Sequence, residues 1–254
     1  MIALARDKFG IPFTDLIFVE DPKLYQRRSP LTRFSQSAKP LPGFIDCLTK
    51  IIDLSKATSA NYNDLSSNTR YKIKRALREG IVPRFNPTPN EADIEIFSSH
   101  YDKFASQKGL PLCNRYKLKL LNSLAALILT TAHNSHGELL VTHAYIADRD
   151  SKRLRLLYSA SLFRGINDTE ERNLIGRANR LLHWFEIESA PNFGYLHYDL
   201  GGFPTNTKNP DKSAIARFKG EFGGREVREY NGLTSSIYPL RLALRQAQRL
   251  ISSA

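Results

Sequence analysis

The spacing of apolar positions divides this chain into elements. Residues 44–54 carry Ile45, Leu48, Ile51, Ile52 and Leu54 and are expected to form a buried strand. The stretch before it, 22–42, is rich in proline, arginine and serine and is expected to be a loop closed by Pro40 and Pro42-Gly43. A helix is predicted next, capped by Ser66 or Ser67 and ended by Gly80. Ile73, Ala76 and Leu77 make its apolar stripe, while Arg70, Lys74 and Arg78 recur every four residues on another face. A short strand over 81–85 runs into Pro87-Thr88-Pro89, where a subdomain boundary is expected, giving parts 1–89 and 90–254.

The second part shows a clearer order. Helices are predicted over 92–107 and 116–126, then strands over 128–132, 139–147 and 154–161, joined by turns at 134–137 and 148–152. A helix over 171–189, a strand over 195–200 and a helix over 211–222 follow, the last ended by Gly223-Gly224. Strands are expected at 227–230 and 235–238. Pro239 opens a final amphipathic helix with Leu240, Ala243, Leu244 and Ala247 on one side and Arg241, Arg245 and Arg249 on the other. An antiparallel meander followed by a crossover helix and a strand predicts an α/β (α+β) fold. Its sheet is mixed and mostly antiparallel, with helices on both faces.

Composition narrows the function. With 254 residues, 41% hydrophobic and 24% charged, the chain can bury a core that needs no staples. Its two cysteines, Cys47 and Cys113, allow at most one disulfide and fit a reducing compartment. Charges interrupt the apolar residues at the N-terminus, and the longest apolar run, 124–129, is far below the ~20 residues of a spanning helix. A soluble, cytoplasmic protein is expected. The formal charge of +12 points to an anionic partner: nucleic acid, a phosphorylated cofactor or an acidic membrane surface.

Three segments carry candidate chemistry. Tyr198-Asp199-Leu200-Gly201-Gly202 ends a buried strand in a carboxylate and two glycines, which suits either close ligand approach or a tight turn. Arg217, Phe218 and Lys219 set two cations beside an aromatic ring, a pattern able to hold a phosphate or a developing oxyanion. On the crossover helix, Gly176, Asn179 and His183 share a face, and His183 is a general-base candidate or a satisfied core histidine. His133, His136 and His143 lack a completing cysteine or carboxylate, so no metal is expected. Cys113 has no nucleophile pattern, and neither a phosphate-binding glycine loop nor a dinucleotide fingerprint is present.

In order, several blocks resemble the FemABX-like (peptidoglycan-bridge-type aminoacyltransferase) branch of the GNAT acyltransferase superfamily. They are Ile52-Asp53-Leu54-Ser55 followed by Asn68 to Ala76; Leu157-Tyr158-Ser159-Ala160-Ser161; Leu182-His183-Trp184 through Ile187; Tyr198 to Gly202; and Arg217-Phe218-Lys219 with Phe222-Gly223-Gly224. The resemblance spans roughly residues 43–230. It implies a GNAT-like sheet whose strands ending near Ser161 and Gly201 splay apart. It also implies transfer of an acyl or aminoacyl group from acyl-CoA, an acyl carrier protein or aminoacyl-tRNA to an amine of a small molecule or cell-envelope precursor.

By the same carry-over Lys219 stabilises the oxyanion or a donor phosphate. Ser159, Ser161, Gly176, Asn179, Gly201, Gly202, Arg217 and Phe218 hold the donor. Arg70, Tyr71, Lys74, Trp184 and Tyr198 meet the acceptor, and His183, Asp199 or water takes the proton. The pattern departs at Asn173 to Ala178, where the leading cation of the GNAT pyrophosphate loop is absent and Arg172 stands one residue off. Residues 1–89 are also too short for a second complete GNAT-like domain. The basic helix 70–78 and the arginine row 241, 245, 249 suggest the alternatives: a nucleic-acid-binding module without catalysis, or a degenerate GNAT scaffold.

Overall fold

The computed structural model describes residues 1–8, 10–26, 29–163, 166–204 and 207–236. Their strands are β1 (Ile2–Lys8), β2 (Ile11–Ile17), β3 (Leu31–Ser37), β4 (Ile45–Asp53), β5 (Val82–Asn86), β6 (Leu127–His133), β7 (Leu139–Asp148), β8 (Arg153–Ser161), β9 (His197–Gly202) and β10 (Arg225–Ser235). The helices are α1 (Thr58–Asp64), α2 (Ser67–Arg78), α3 (Glu91–Lys108), α4 (Arg115–Ser123), α5 (Thr169–Ser189) and α6 (Pro210–Gly220). The chain forms two units. The first takes Met1–Thr49 with short segments from 202 and from 226; the second takes Lys50–Gly201 and the α6 region. The division falls between Thr49 and Lys50, so α1, α2 and β5 pack within the second unit.

In the first unit β1 and β2 form an antiparallel hairpin, β3 lies parallel to β2, and β10 runs antiparallel to β3. The stretch 22–42, expected to be a loop, contains β3 and a 3-10 turn at Pro22–Tyr25. Polar side chains disguise this strand, because several of them are buried and satisfied by one another. Gln36 donates to Glu229 at 2.8 Å, and Ser29 lies 3.1 Å from the Thr32 hydroxyl. Cys47 and Cys113 form no disulfide among the described residues.

In the second unit the sheet order is β9-β8-β7-β6-β5, antiparallel except for β8 and β9. Alternation along the strands aims side chains at two helical layers. His143 and Tyr145 of β7 reach Glu186 on α5, whereas Tyr158 of β8 meets Tyr101 of α3 at 4.6 Å. The sheet is thus mixed, mostly antiparallel and covered on both faces, as the periodicity predicts. Ile128, Ala132, Val141 and Tyr145 pack against Ala178, Leu181 and Leu182 of α5, and α2 adds Ile73 and Ala76. Each large apolar side chain buried there stabilises by about 1.5–3 kcal/mol, which fixes α5 over the sheet. Ser66 caps α2 by accepting from the Thr69 N–H, as expected. Among the described residues no helix is long and apolar enough to cross a membrane. The predicted helix beyond Pro239, with Arg241, Arg245 and Arg249, lies outside the described residues.

Candidate active site

The parallel ladder between β8 and β9 covers Arg153↔His197, Leu154↔Tyr198 and Arg155↔Asp199. β8 then continues to Ser161 and β9 to Gly202, and beyond Asp199 the two strands form no further pair among the described residues. Backbone groups from Leu156 onward therefore face a gap, and buried backbone polar groups seek partners. A register shift between Ala144 and Tyr145 bends this end of β8, a device common beside functional sites. Gly201 stands at φ +73°, and a Cβ there would meet the Leu156 carbonyl oxygen at 3.2 Å. A side chain at this position would crowd the gap and strain the backbone.

A cavity of about 780 Å³ fills the gap. Tyr101 and Phe104 of α3, Phe163, Leu200, and Ile215 and Phe218 of α6 supply apolar wall. Ser159, Ser161, Asn179, His183 and Lys219 supply polar groups. Residues from both helical layers line it, because the splay opens the sheet between them. An apolar cleft of this size with a few convergent polar groups has the usual make-up of a ligand site.

Beneath the cavity lies a buried polar network centred on Glu186. Its carboxylate accepts from Thr130, from Tyr145 at 2.5 Å, from Tyr198 at 2.7 Å and from His143 Nδ1 at 2.9 Å. Burial pushes the Glu186 carboxyl up, but its interactions with His143 first, and then with His183, outweigh burial and hold the group well below the usual carboxylate range. The Nε2 atom of His143 meets the Asn179 side-chain amide at 2.9 Å.

Tyr198 connects this network to the cavity. A carboxylate only accepts, so the single phenolic proton of Tyr198 goes to Glu186 and its oxygen is left to accept. His183 Nδ1 lies 2.6 Å from that oxygen and donates to it. This fixes the tautomer, and the Nε2 lone pair is the ring site left for the cavity that His183 lines. Burial, with His143 and Lys219 adding and Glu186 opposing, pushes His183 down to about 4. The ring is therefore neutral at pH 7, with its Nε2 lone pair able to accept a proton.

Lys219 enters from α6. Burial pushes its ammonium down to about 8, with Asp199 opposing and Arg155 adding to the shift. Asp199 itself is fully buried. It pairs with Arg153 at 2.5 Å and accepts from the Gly201 N–H at 2.7 Å. Asp199 thus ties the strand end together and keeps Lys219 charged, and it is not among the residues lining the cavity.

Ser159, Ser161, Asn179, His183, Phe218 and Lys219 all meet at the cavity, and Gly201 borders it. Tyr198 lies one bond behind His183. Other expected contacts sit elsewhere. Trp184 is in the core, edge-on to Tyr62 with ring centroids 5.1 Å apart. Arg217 and Gly202 are exposed, and Arg70 donates to the Asn63 and Leu65 carbonyls. Gly176 and Tyr71 line a different recess, and Lys74 is exposed on α2. His143 points to α5, paired across from Thr130, while His133 pairs across from Leu139 at the far end of β6. Sequence reasoning missed Glu186 and Tyr145. The available signal was the polar set Asn179, His183 and Glu186 on one face of a largely apolar helix.

The buried histidines carry a consequence for acid stability. His183 and His100 are both pushed down to about 4, chiefly by burial, from an ordinary 6.5. Between those values the unfolded chain binds protons that the folded one does not, so stability falls as pH drops from 6.5 towards 4. Each histidine should cost roughly 2 kcal/mol at pH 5. Urea unfolding at pH 7 and pH 5 checks this, and His183→Gln should remove about half of the difference.

No protein-family model and no curated protein matches the chain. Solved structures do. The crystal structure of FemX aligns with a TM-score of 0.67 over 95% of this chain and 86% of that one, at 11% identity. The C-terminal DUF2156 domain of a putative lysylphosphatidylglycerol synthetase from Agrobacterium fabrum gives 0.58 over 98% and 84%, at 12% identity. L-PGS from Bacillus licheniformis gives 0.54 over 95% and 83%, at 12% identity. The chain is thus similar in fold to FemX and to these lysylphosphatidylglycerol synthetase structures.

Proposed function

We propose that this protein is an N-acyltransferase that moves an acyl or aminoacyl group from an activated donor to an amine. The observation that carries this reading is the pairing of His183, tautomerically fixed by Tyr198, with Lys219 on one cavity at the splay of β8 and β9. His183 Nε2 takes a proton from the attacking amine as the new C–N bond forms. Lys219 neutralises the charge that grows on the carbonyl oxygen. Collapse of the tetrahedral intermediate breaks the bond to the leaving thiol or ribose hydroxyl, which receives the proton. Such transfer needs alignment and charge stabilisation more than covalent help from the protein.

The donor is a thioester, of CoA or an acyl carrier protein, or an aminoacyl-tRNA. The aromatic and aliphatic wall of the cavity favours an apolar acyl or aminoacyl group over a highly charged one. The name of the lysylphosphatidylglycerol synthetase structures supports an aminoacyl group, and the charge of +12 suits an anionic donor. The acceptor is an amine of a small molecule or an envelope precursor, handled in the cytoplasm.

The test is a transfer assay with acyl-CoAs and aminoacyl-tRNAs against a panel of amines, read by mass spectrometry of the product. Turnover should appear with one donor class, and His183→Gln should lower kcat about 10²–10⁴-fold with the fold retained. No transfer from any donor, together with saturable binding of RNA that weakens steeply with salt, would instead favour a nucleic-acid-binding module.

A further inference from the structure

The loop 109–114 between α3 and α4 carries apolar side chains outward at the rim of the cavity. Leu110 is 44% exposed and Leu112 59%, and Pro111 between them is exposed as well. From α6, Ile215 is 45% exposed. Leu110 and Ile215 both line the cavity, so its apolar wall continues out to the surface. Aliphatic side chains gathered in water at the mouth of a cavity mark a surface that something covers. The loop is held in this pose. Gly109 ends α3 at φ +64°, and the Leu110 N–H donates to the Ala105 carbonyl at 2.9 Å. Behind the tip Cys113 is buried, its N–H donating to Asp102 at 2.7 Å, and the Asn114 N–H lies 3.4 Å from the Tyr158 hydroxyl. The tip also offers few backbone donors, because the Leu110 N–H is bonded and Pro111 has none. That suits contact with an apolar medium, where an unpaired N–H is costly.

Cations flank the apolar tip. Lys108 lines the cavity with Leu110, its ammonium over the Phe104 and Phe163 rings at 4.7 and 5.7 Å. Lys212 is exposed one helical turn before Ile215, and Lys208 is exposed just before α6 begins. Asp211 is the one carboxylate lining the cavity among the described residues. Lys108, Lys208 and Lys212 outweigh it and leave the rim cationic, in a chain of formal charge +12. Leucines among lysines match a bilayer with anionic headgroups: the aliphatic tips enter the acyl boundary and the ammonium groups stay with the phosphates. A protein partner fits less well, since three aliphatic side chains cover far less than the ~1,200–2,000 Å² of a specific protein interface.

We propose that this rim docks peripherally on an anionic lipid bilayer, with Leu110, Leu112 and Ile215 in the acyl boundary and the mouth of the cavity facing the lipid. In that pose the apolar wall of the cavity is continuous with the bilayer, which gives an amphiphilic substrate a path inward. The docking surface stands apart from the transfer chemistry proposed above, because binding is read without turnover.

Co-sedimentation of the full chain with vesicles tests the surface. Binding is expected to vesicles of phosphatidylserine mixed with phosphatidylcholine, and much less to phosphatidylcholine alone. Leu110→Ser with Leu112→Ser should weaken it about tenfold or more, because the apolar area that leaves water is lost. Lys208→Ala with Lys212→Ala should weaken it by a similar factor and flatten its dependence on salt. Leu77→Ser removes a leucine of α2 that is 56% exposed and does not line the cavity, and it should bind within about twofold of the wild type. A reporter that keeps the tip apolar gives a second reading. The single native tryptophan, Trp184, is buried, so Leu112→Trp places a new fluorophore at the rim. Brominated lipid should quench it and should not quench Leu77→Trp. The proposal is overturned by the absence of vesicle binding, by an equal loss in Leu77→Ser, by equal quenching at positions 77 and 112, or by a dimer that Leu110→Ser with Leu112→Ser dissociates while vesicles leave the wild type unbound.

Discussion

Lys219→Met is expected to abolish turnover and to raise thermal stability in the same protein. Removing a cation that stabilises a developing oxyanion costs about 10²–10³-fold in rate. The stability gain follows from the depressed pKa. At pH 7 the folded protein holds a charged lysine whose affinity for its proton has dropped from 10.5 to about 8. That drop corresponds to roughly 3 kcal/mol, and discounting for the part of the side chain open to cavity water leaves about 1–3 kcal/mol. Below pH 8 both the folded and unfolded chains are protonated and the full cost is present. Between about 8 and 10.5 the folded lysine is neutral while the unfolded one still binds its proton, so the wild type gains stability with pH and the cost disappears. The melting temperature of Lys219→Met at pH 7 should therefore exceed that of the wild type by about 3–8 °C, and the excess should shrink at pH 9.5. Lower stability at pH 7, or turnover equal to the wild type, would sink the assignment. The same ionisation sets an upper limb on the rate: activity should fall as pH rises through about 8. Opposed effects on rate and stability are characteristic of a group retained for function.

The sequence made the second unit largely legible because its elements are long and strongly periodic. The strands of the meander and α5 alternate or repeat over enough residues for their pattern to exceed noise. The first unit was opaque for the opposite reason. β1, β2 and β3 are seven residues each, and β3 buries Thr32, Gln36 and Ser37. Gln36 is satisfied by Glu229 of β10, far along the chain, and Ser37 by the Val19 carbonyl, and neither partner is announced by the alternation of apolar residues. The site divides in the same way. His183 and Lys219 stand out by chemical type and by the motifs around them. Asp199 stands out equally, yet its partner Arg153 lies 46 residues away, and only the fold shows that the pair is buried beside the cavity and away from its lining. Glu186 on a helix reads as a surface carboxylate. It is buried because donors on β6, β7 and β9 converge on it.

That convergence makes Glu186 the residue whose replacement should cost most. Glu186→Ala leaves Thr130, His143, Tyr145 and Tyr198 without their acceptor in a dry core, and Glu186→Gln keeps the volume but turns an amide donor towards donors. Breaking a buried charged network from one side costs about 3–5 kcal/mol, a large part of the total stability of a domain. For a chain of this size the melting temperature of Glu186→Gln should fall by about 6–20 °C at pH 7. The sign with pH is fixed by the depressed folded pKa. The contribution of Glu186 is fully present above the ordinary value of 4.5 and is lost as acid protonates it in the folded state, so the gap between variant and wild type should narrow below that pH. A variant as stable as the wild type at pH 7 would show that the donors do not depend on the carboxylate. Tyr198→Phe separates stability from catalysis. It removes one hydroxyl, leaves Glu186 with three donors, and releases His183 Nδ1 from its partner. Its stability loss should be about 1–2 kcal/mol, whereas kcat should fall by about tenfold or more, because the imidazole is no longer held in the tautomer that presents Nε2 to the amine. An unchanged kcat in Tyr198→Phe would leave Glu186 as a purely structural carboxylate and remove it from the chain of groups that orients the base.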